Sequence, residues 1–171
     1  MATTRTTSNR SVLSWLFIVA GVLVLLNILF AHVAPKVSGA WWDFFAFVAL
    51  AVAFLLLFLW RTVTLLRVAF IVAAVGWAVH AISLVANLGS GIDKVALVLA
   101  LVGGLVAGII VFMRHVFTRN ADLAFLIAMI VGAIYLLGLL VAFLSGTLAT
   151  IVAILFAVLL VVSGFLIQRH R

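Results

Sequence analysis

The chain has 171 residues, of which 70% are hydrophobic, 8% are charged and none is cysteine, and its formal net charge is +7. A water-soluble domain typically has about 25% charged residues, so this composition excludes a soluble fold and predicts a protein surrounded by lipid. The basic residues lie at the ends of apolar runs, which is typical of membrane topology and argues against nucleic-acid binding.

Six apolar runs of about 20 residues follow one another, and they predict an all-α membrane protein with six transmembrane helices. The predicted spans are about 12–34, 41–60, 67–88, 94–113, 122–144 and 147–167. Residues 1–10 are polar, so we expect them to be frayed, with Ser11 capping the first helix. The first run is too long, and the site before Pro35 too poor, for a cleaved signal peptide.

The basic residues predict the orientation of the chain. If the N-terminus is cytoplasmic, the inner segments carry eight arginines and the outer segments carry two lysines, Lys36 and Lys94. The positive-inside rule then places both termini in the cytoplasm. We expect a multi-pass protein of the bacterial cytoplasmic membrane, with the lipid bilayer as its partner and a homo-oligomer or larger membrane complex left open. Five inner arginines are candidate contacts for anionic lipid headgroups, with a purely topological role as the alternative: Arg61, Arg67, Arg114, Arg119 and Arg169.

The sequence resembles itself at a spacing of 53 to 55 residues. A shift of 55 places Ser90-Gly91 on Ser145-Gly146, and a shift of 53 places residues 17–20 on 70–73. This period predicts three tandem helical hairpins in a single transmembrane domain, with repeat units of about 12–66, 67–121 and 122–171. We expect the Ser-Gly pairs to supply positive φ angles for short outer turns.

The repeat also aligns three polar residues, because Asn27 falls on His80 and His80 falls on Tyr135. A polar group that faces lipid is costly, so each should face protein or a cavity. Two interpretations remain open: a small polar binding site or constriction, or interhelical hydrogen bonds that fix packing. Ser83 and Asn87 lie one and two turns beyond His80 and would extend the polar stripe outward.

The inventory of reactive side chains argues against an enzyme. The three acidic residues, Asp43, Asp93 and Asp122, are all predicted at interfaces, and Asp122 is expected to favour a helix N-terminus. His80 is expected to be a lone histidine in apolar surroundings. No Ser-His-Asp arrangement, metal-binding spacing or phosphate loop is predicted, so neither a metal nor a cofactor is expected.

The stretches "IVAGVLVLL" (18–26) and "FAVLLVVSGFLIQRHR" (156–171), together with the recurring inner arginines, resemble the HdeD-type family of small bacterial membrane proteins. The resemblance covers nearly the whole chain. It implies six spans in three hairpins and a role in the envelope or in acid stress. Outer turns of that family often carry Pro-Gly, whereas the single proline here is Pro35.

Two hypotheses of function follow from the sequence. The first is a non-enzymatic structural or stress-related membrane protein, or an accessory subunit of a membrane complex. The alternative is a small channel, transporter or substrate-binding membrane module with a polar site near Asn27, His80 and Tyr135.

Overall fold

A computed structural model describes residues 3–36, 39–60, 64–141, 144 and 146–169. These residues form α-helices and no strand, as the sequence predicts, and each helix is long and apolar enough to cross a membrane. The helices of the described residues are α1 (Thr3–Val33), α2 (Ala40–Trp60), α3 (Thr64–Ala86), α4 (Ser90–Arg114), α5 (Arg119–Val141) and α6 (Gly146–Arg169).

The six helices of the described residues form a closed ring. Each helix packs against its neighbours in the chain, and α6 closes the ring by packing against α1. Successive helices run in opposite directions, so the ring has two ends. We call the end with the α1–α2, α3–α4 and α5–α6 connections the turn end. The other end, with the α2–α3 and α4–α5 connections and both chain termini, is the arginine end.

Two local predictions were wrong. Helix α1 begins at Thr3, so Ser11 lies inside the helix and not at its cap, since no proline or glycine precedes it to interrupt the helix. Between α3 and α4, the positive φ angles belong to Asn87 (49°) and Gly89 (96°). Gly91 lies inside α4, because the left-handed residues that end α3 have already turned the chain.

Glycines allow two pairs of helices to approach closely. A Cβ atom on Gly76 would collide with the backbone of Ala100, and one on Gly103 would collide with the backbone of Ala73. These two glycines therefore bring α3 and α4 into backbone contact, which is how small residues stabilise membrane helix pairs.

The α1–α6 contact that closes the ring also depends on glycines that face the backbone of the neighbouring helix. Gly21 faces the backbone of Ala157, and Gly164 faces the backbone of Ser14. The Ser14 hydroxyl donates a hydrogen bond of 2.6 Å to the carbonyl oxygen of Gly164. Close approach and a buried polar contact therefore hold the first and last helices together.

A layer of phenylalanine fills the centre of the ring. Phe17, Phe70 and Phe125, which the predicted repeat places at equivalent positions, are all fully buried. The ring of Phe54 lies 6.3, 6.1 and 6.2 Å from theirs, centroid to centroid. The axis of the ring is therefore packed with aromatic side chains at this level, as a membrane-protein core is, rather than open.

Candidate functional site

Asn27, His80 and Tyr135 lie at the same depth near the turn end. Each precedes the last residue of its helix, Val33, Ala86 or Val141, by six positions. At 1.5 Å per residue, this depth is about 9 Å from the helix end. The alignment found in the sequence therefore corresponds to one level of the ring, on three different helices.

Asp43 interacts with each of these three residues. Its carboxylate accepts a side-chain hydrogen bond from Asn27 and interacts electrostatically with His80 and with Tyr135. The Oδ1 of Asn27 accepts the Gly39 N–H at 3.2 Å, which leaves the amide nitrogen to donate to Asp43. Asp43, which the sequence analysis had assigned only to an interface, thus has a hydrogen bond to one of the three side chains and an electrostatic interaction with the other two.

The phase of α2 explains why Asp43 points inward. Asp43, Phe47, Leu50, Phe54 and Leu57 follow one another at helical spacing, so they share one face of the helix. The four apolar members of this stripe are at most 3% exposed. Asp43 is the end of the stripe nearest to the turn end, and its side chain therefore faces the interior of the ring.

His80 is not a lone histidine, so that expectation was wrong. Its Nδ1 lies 2.6 Å from Oδ1 of Asp93, and the Ser83 hydroxyl donates to the same oxygen. The Ser83 hydroxyl also lies 2.9 Å from the carbonyl oxygen of His80. Asp93 sits in the first turn of α4, and the short α3–α4 connection folds it back over the last turns of α3.

A serine, a histidine and an aspartate are therefore adjacent, contrary to the sequence expectation. In a catalytic triad the histidine lies between serine and aspartate and accepts the proton of the hydroxyl. Here the carboxylate of Asp93 lies between Ser83 and His80. This order lets Asp93 hold both side chains but does not make Ser83 a nucleophile.

We call Asn27, Asp43, His80, Ser83, Asp93 and Tyr135 the polar cluster. It is accessible from the turn end, since the Asp93 side chain is 31% exposed whereas that of His80 is 5% exposed. Asn87 is exposed and is not brought into the cluster. Because α3 ends at Ala86, Asn87 leaves the helical stripe and adopts a left-handed conformation instead.

A row of stacked aromatic rings lies beneath the polar cluster. Tyr135 stacks on Phe156 at 6.3 Å, Phe156 on Trp77 at 6.1 Å, and Trp77 on Phe47 at 5.0 Å. The rings come from α5, α6, α3 and α2 in turn, so the row crosses the ring of helices. We call it the aromatic floor. It separates the polar cluster from the phenylalanine layer deeper in the bundle.

One polar atom of the aromatic floor has no partner among the described residues. Trp77 is 2% exposed, and its indole N–H makes no hydrogen bond within the described part of the chain. Buried N–H groups are nearly always bonded, and leaving one unbonded costs about 1–3 kcal/mol. The Trp77 ring lies 6.5 Å from that of His80, centroid to centroid, so this side chain adjoins the polar cluster.

The candidate lipid-binding arginines that the structure describes lie at the arginine end. Arg67, Arg114, Arg119 and Arg169 are exposed, and Arg61 lies outside the described residues. The guanidinium of Arg67 lies 4.8 Å from the centroid of the Phe58 ring, which positions it by a cation–π contact. These exposed side chains can meet lipid headgroups.

Asp122 has a structural role at the arginine end. It is fully buried in the first turn of α5, and its Oδ1 accepts the Phe117 N–H at 2.9 Å. The Nδ1 of His115 lies 4.0 Å from its Oδ2. This agrees with the interpretation of Asp122 as a helix N-terminal residue, since it fastens the α4–α5 connection to the start of α5.

The described residues contain no group of three histidine, cysteine, aspartate or glutamate side chains that could hold a metal ion. The candidate site is therefore the polar cluster over the aromatic floor. Comparison with protein-family models, with curated proteins and with solved structures found no match to this chain.

Proposed function

We propose that this protein is a non-enzymatic integral membrane protein that binds a small polar ligand at the turn end of its helical ring. One observation carries the proposal: Asn27 of α1, His80 of α3 and Tyr135 of α5 lie at one depth near the turn end, and each interacts with the carboxylate of Asp43, Asn27 by a hydrogen bond and the other two electrostatically. Hydrogen bonds that serve only packing need two partners, whereas this cluster gathers six polar side chains. Convergent polar groups above an apolar floor are typical of small-molecule sites.

A binding module is favoured over a channel. Phe17, Phe54 and Phe125 fill the axis below the aromatic floor and are fully buried. An ion crossing the bundle would have to displace these rings, and buried aromatic layers are tightly packed. The polar cluster is therefore a site that ends at the aromatic floor and not the entrance to a continuous pore.

The proposed setting is the bacterial cytoplasmic membrane, with both termini in the cytoplasm. The support is the distribution of charge, since Arg10, Arg67, Arg114, Arg119 and Arg169 lie at one end of the ring. Under the positive-inside rule that end is cytoplasmic. The polar cluster then opens to the outer side of the membrane.

Native mass spectrometry tests the proposal. We would extract the wild-type protein from its own membrane in a gentle detergent and compare it with the variant Asn27→Leu/His80→Phe/Tyr135→Phe. The control is Ser14→Ala, which removes a buried hydrogen bond between α1 and α6 at a distance from the polar cluster. We expect a small-molecule adduct on the wild type and on the control, and its loss from the folded triple variant.

Other outcomes would contradict the proposal. An adduct that persists in the triple variant would locate the ligand elsewhere. The absence of any adduct, combined with a large loss of stability in the triple variant alone, would make the polar cluster a packing device.

A second candidate function is that of a structural protein or an accessory subunit of a membrane complex. The resemblance to the HdeD-type family, which implies a role in the envelope or in acid stress, fits this function. This function is favoured by an apolar groove on the lipid-facing side of α2 and α3, which is lined by Phe44, Val48, Val52, Leu55, Ile71, Val75 and Ile82. Such a groove can seat a helix of a second protein or of a second copy. Detection of a partner chain at fixed stoichiometry in the same spectra would support this function.

A further inference from the structure

We propose that the ligand of the polar cluster is a small organic cation with an ammonium group as its charged centre. This inference rests on the function proposed above and narrows it to one chemical class. The charge of the cluster, its aromatic surroundings and the buried indole N–H beside it each contribute an independent argument.

Carboxylates outnumber basic groups in the polar cluster. Asp43 and Asp93 oppose a single basic side chain, His80, which is paired with Asp93. Neither aspartate forms an ion pair with a lysine or an arginine in the described part of the chain. A carboxylate withdrawn from water needs a positive partner or several donors, so Asp43 offers an anionic site to which the described residues bring no lysine or arginine.

Aromatic rings lie next to these carboxylates. Phe47 is one turn from Asp43 on α2 and lies 5.1 Å from the His80 ring. Aromatic faces attract cations within about 6 Å, and quaternary ammonium ligands are recognised in this way.

The indole N–H of Trp77 indicates that the ligand also carries a hydrogen-bond acceptor. It is buried and has no hydrogen-bond acceptor among the described residues, and its ring stacks on that of Phe47. An ammonium compound that also carries a hydroxyl or carbonyl oxygen would satisfy both Asp43 and Trp77. Choline has this combination and is a suitable probe.

The same features argue against other ligand classes. An anion would face two carboxylates and no arginine or lysine of the cluster. A metal ion is bound by three or four protein ligands in most sites, and no such group exists within the described residues. A neutral polar molecule would leave the charge of Asp43 uncompensated.

Isothermal titration calorimetry on the purified full-length protein in detergent tests the inference. The probes are choline and 3,3-dimethylbutan-1-ol, which has nearly the same shape with carbon in place of the charged nitrogen. The variants are Asp43→Asn and, as the matched control, Asp122→Asn, which makes the same change at the arginine end. Size-exclusion chromatography verifies folding, and Asp93→Asn replaces Asp43→Asn if the latter is not monodisperse.

We expect choline to bind the wild type and Asp122→Asn alike, and to bind Asp43→Asn at least about tenfold more weakly, since the ion pair is lost. We expect the neutral alcohol to bind the wild type at least about tenfold more weakly than choline. Equal binding of the two probes, unchanged choline affinity in Asp43→Asn, or no choline binding up to about 50 mM would each overturn the inference.

The two proposals can fail separately. A native adduct that is lost from the triple variant, together with no choline binding, would retain the polar ligand site and reject the organic cation. Absence of both the adduct and choline binding would reject both proposals.

Discussion

The Nδ1 atom of His80 lies 2.6 Å from Oδ1 of Asp93 and joins the last turns of α3 to the first turn of α4. This contact adds a polar bridge to a helix pair that is already in backbone contact through Gly76 and Gly103. The His80–Asp93 contact therefore joins α3 to α4 at the turn end, while Gly76 and Gly103 allow the two helices to pack closely at their middle.

Replacing Asp93 by alanine should destabilise the protein. The substitution removes the acceptor of both His80 and Ser83 and leaves the nearly buried imidazole without its partner. Because Asp93 itself is 31% exposed, we expect a loss of about 1–2 kcal/mol in the free energy of unfolding. Equilibrium unfolding in mixed micelles measures this change in the free energy of unfolding.

Lys94→Ala is the matched control, since Lys94 is exposed and adjacent to Asp93 in the same helical turn. We expect its effect to lie within about 0.5 kcal/mol of zero. Equal effects of the two substitutions would show that the His80–Asp93 contact contributes nothing specific.

Gly76→Ala should destabilise the α3–α4 contact. The added Cβ would collide with backbone atoms of Ala100, and backbone cannot move aside as a flexible side chain does. We expect a cost of at least about 1–3 kcal/mol, seen as a lower melting temperature in detergent. Gly91→Ala is the control, because a Cβ atom there meets nothing within 4 Å and alanine favours the helix by about 1 kcal/mol relative to glycine. A decrease of similar size in the melting temperature of both variants would contradict the proposed close packing of α3 and α4.

The spans and the alignment of Asn27, His80 and Tyr135 were accessible from the sequence, because hydrophobic length and the repeat report depth along each helix. The partners of these residues were not accessible, because they depend on how the helices are rotated and paired. Asp43 and Asp93 each lie in the first turn of a helix, and an acidic residue there is normally explained by the membrane interface and the helix dipole.

A signal for Asp43 was nevertheless present. It is in phase with Phe47, Leu50 and Phe54, so the inward stripe of α2 already included it. Asn87 was wrongly assigned to the polar stripe of α3. The helix was expected to include it, whereas α3 ends one residue earlier, at Ala86. The resemblance to the HdeD-type family, the absence of enzymatic activity and the inner location of the arginines stay predictions.

The affinity for choline should fall as the pH is lowered. His80 faces Asp43 on α2 and Asp93 on α4, and Tyr135 on α5 faces Asp43. Protonation of either aspartate removes a negative charge from the cluster. This change disfavours a bound cation, so we expect affinity to decrease as the pH falls towards the range in which carboxylates become protonated, about pH 4.

Titration calorimetry at several pH values measures this dependence. An affinity that rises on acidification would contradict the assignment of the ligand as a cation.

The predicted orientation can be tested with single cysteines, since the chain has none of its own. In intact cells, a membrane-impermeant maleimide should label Lys36→Cys, which lies at the turn end. It should label Arg119→Cys, at the arginine end, only after the membrane is permeabilised. The reverse pattern would place the polar cluster on the cytoplasmic side.

The central claim is that side chains of different helices converge on Asp43, and a double-mutant cycle tests it most directly. Unfolding free energies would be measured for the wild type, Asn27→Ala, Asp43→Ala and the double variant. The hydrogen bond between the two side chains predicts a coupling energy of about 1 kcal/mol or more. Effects that add to within about 0.3 kcal/mol would show that Asn27 and Asp43 do not interact, and would contradict the assembly of the site.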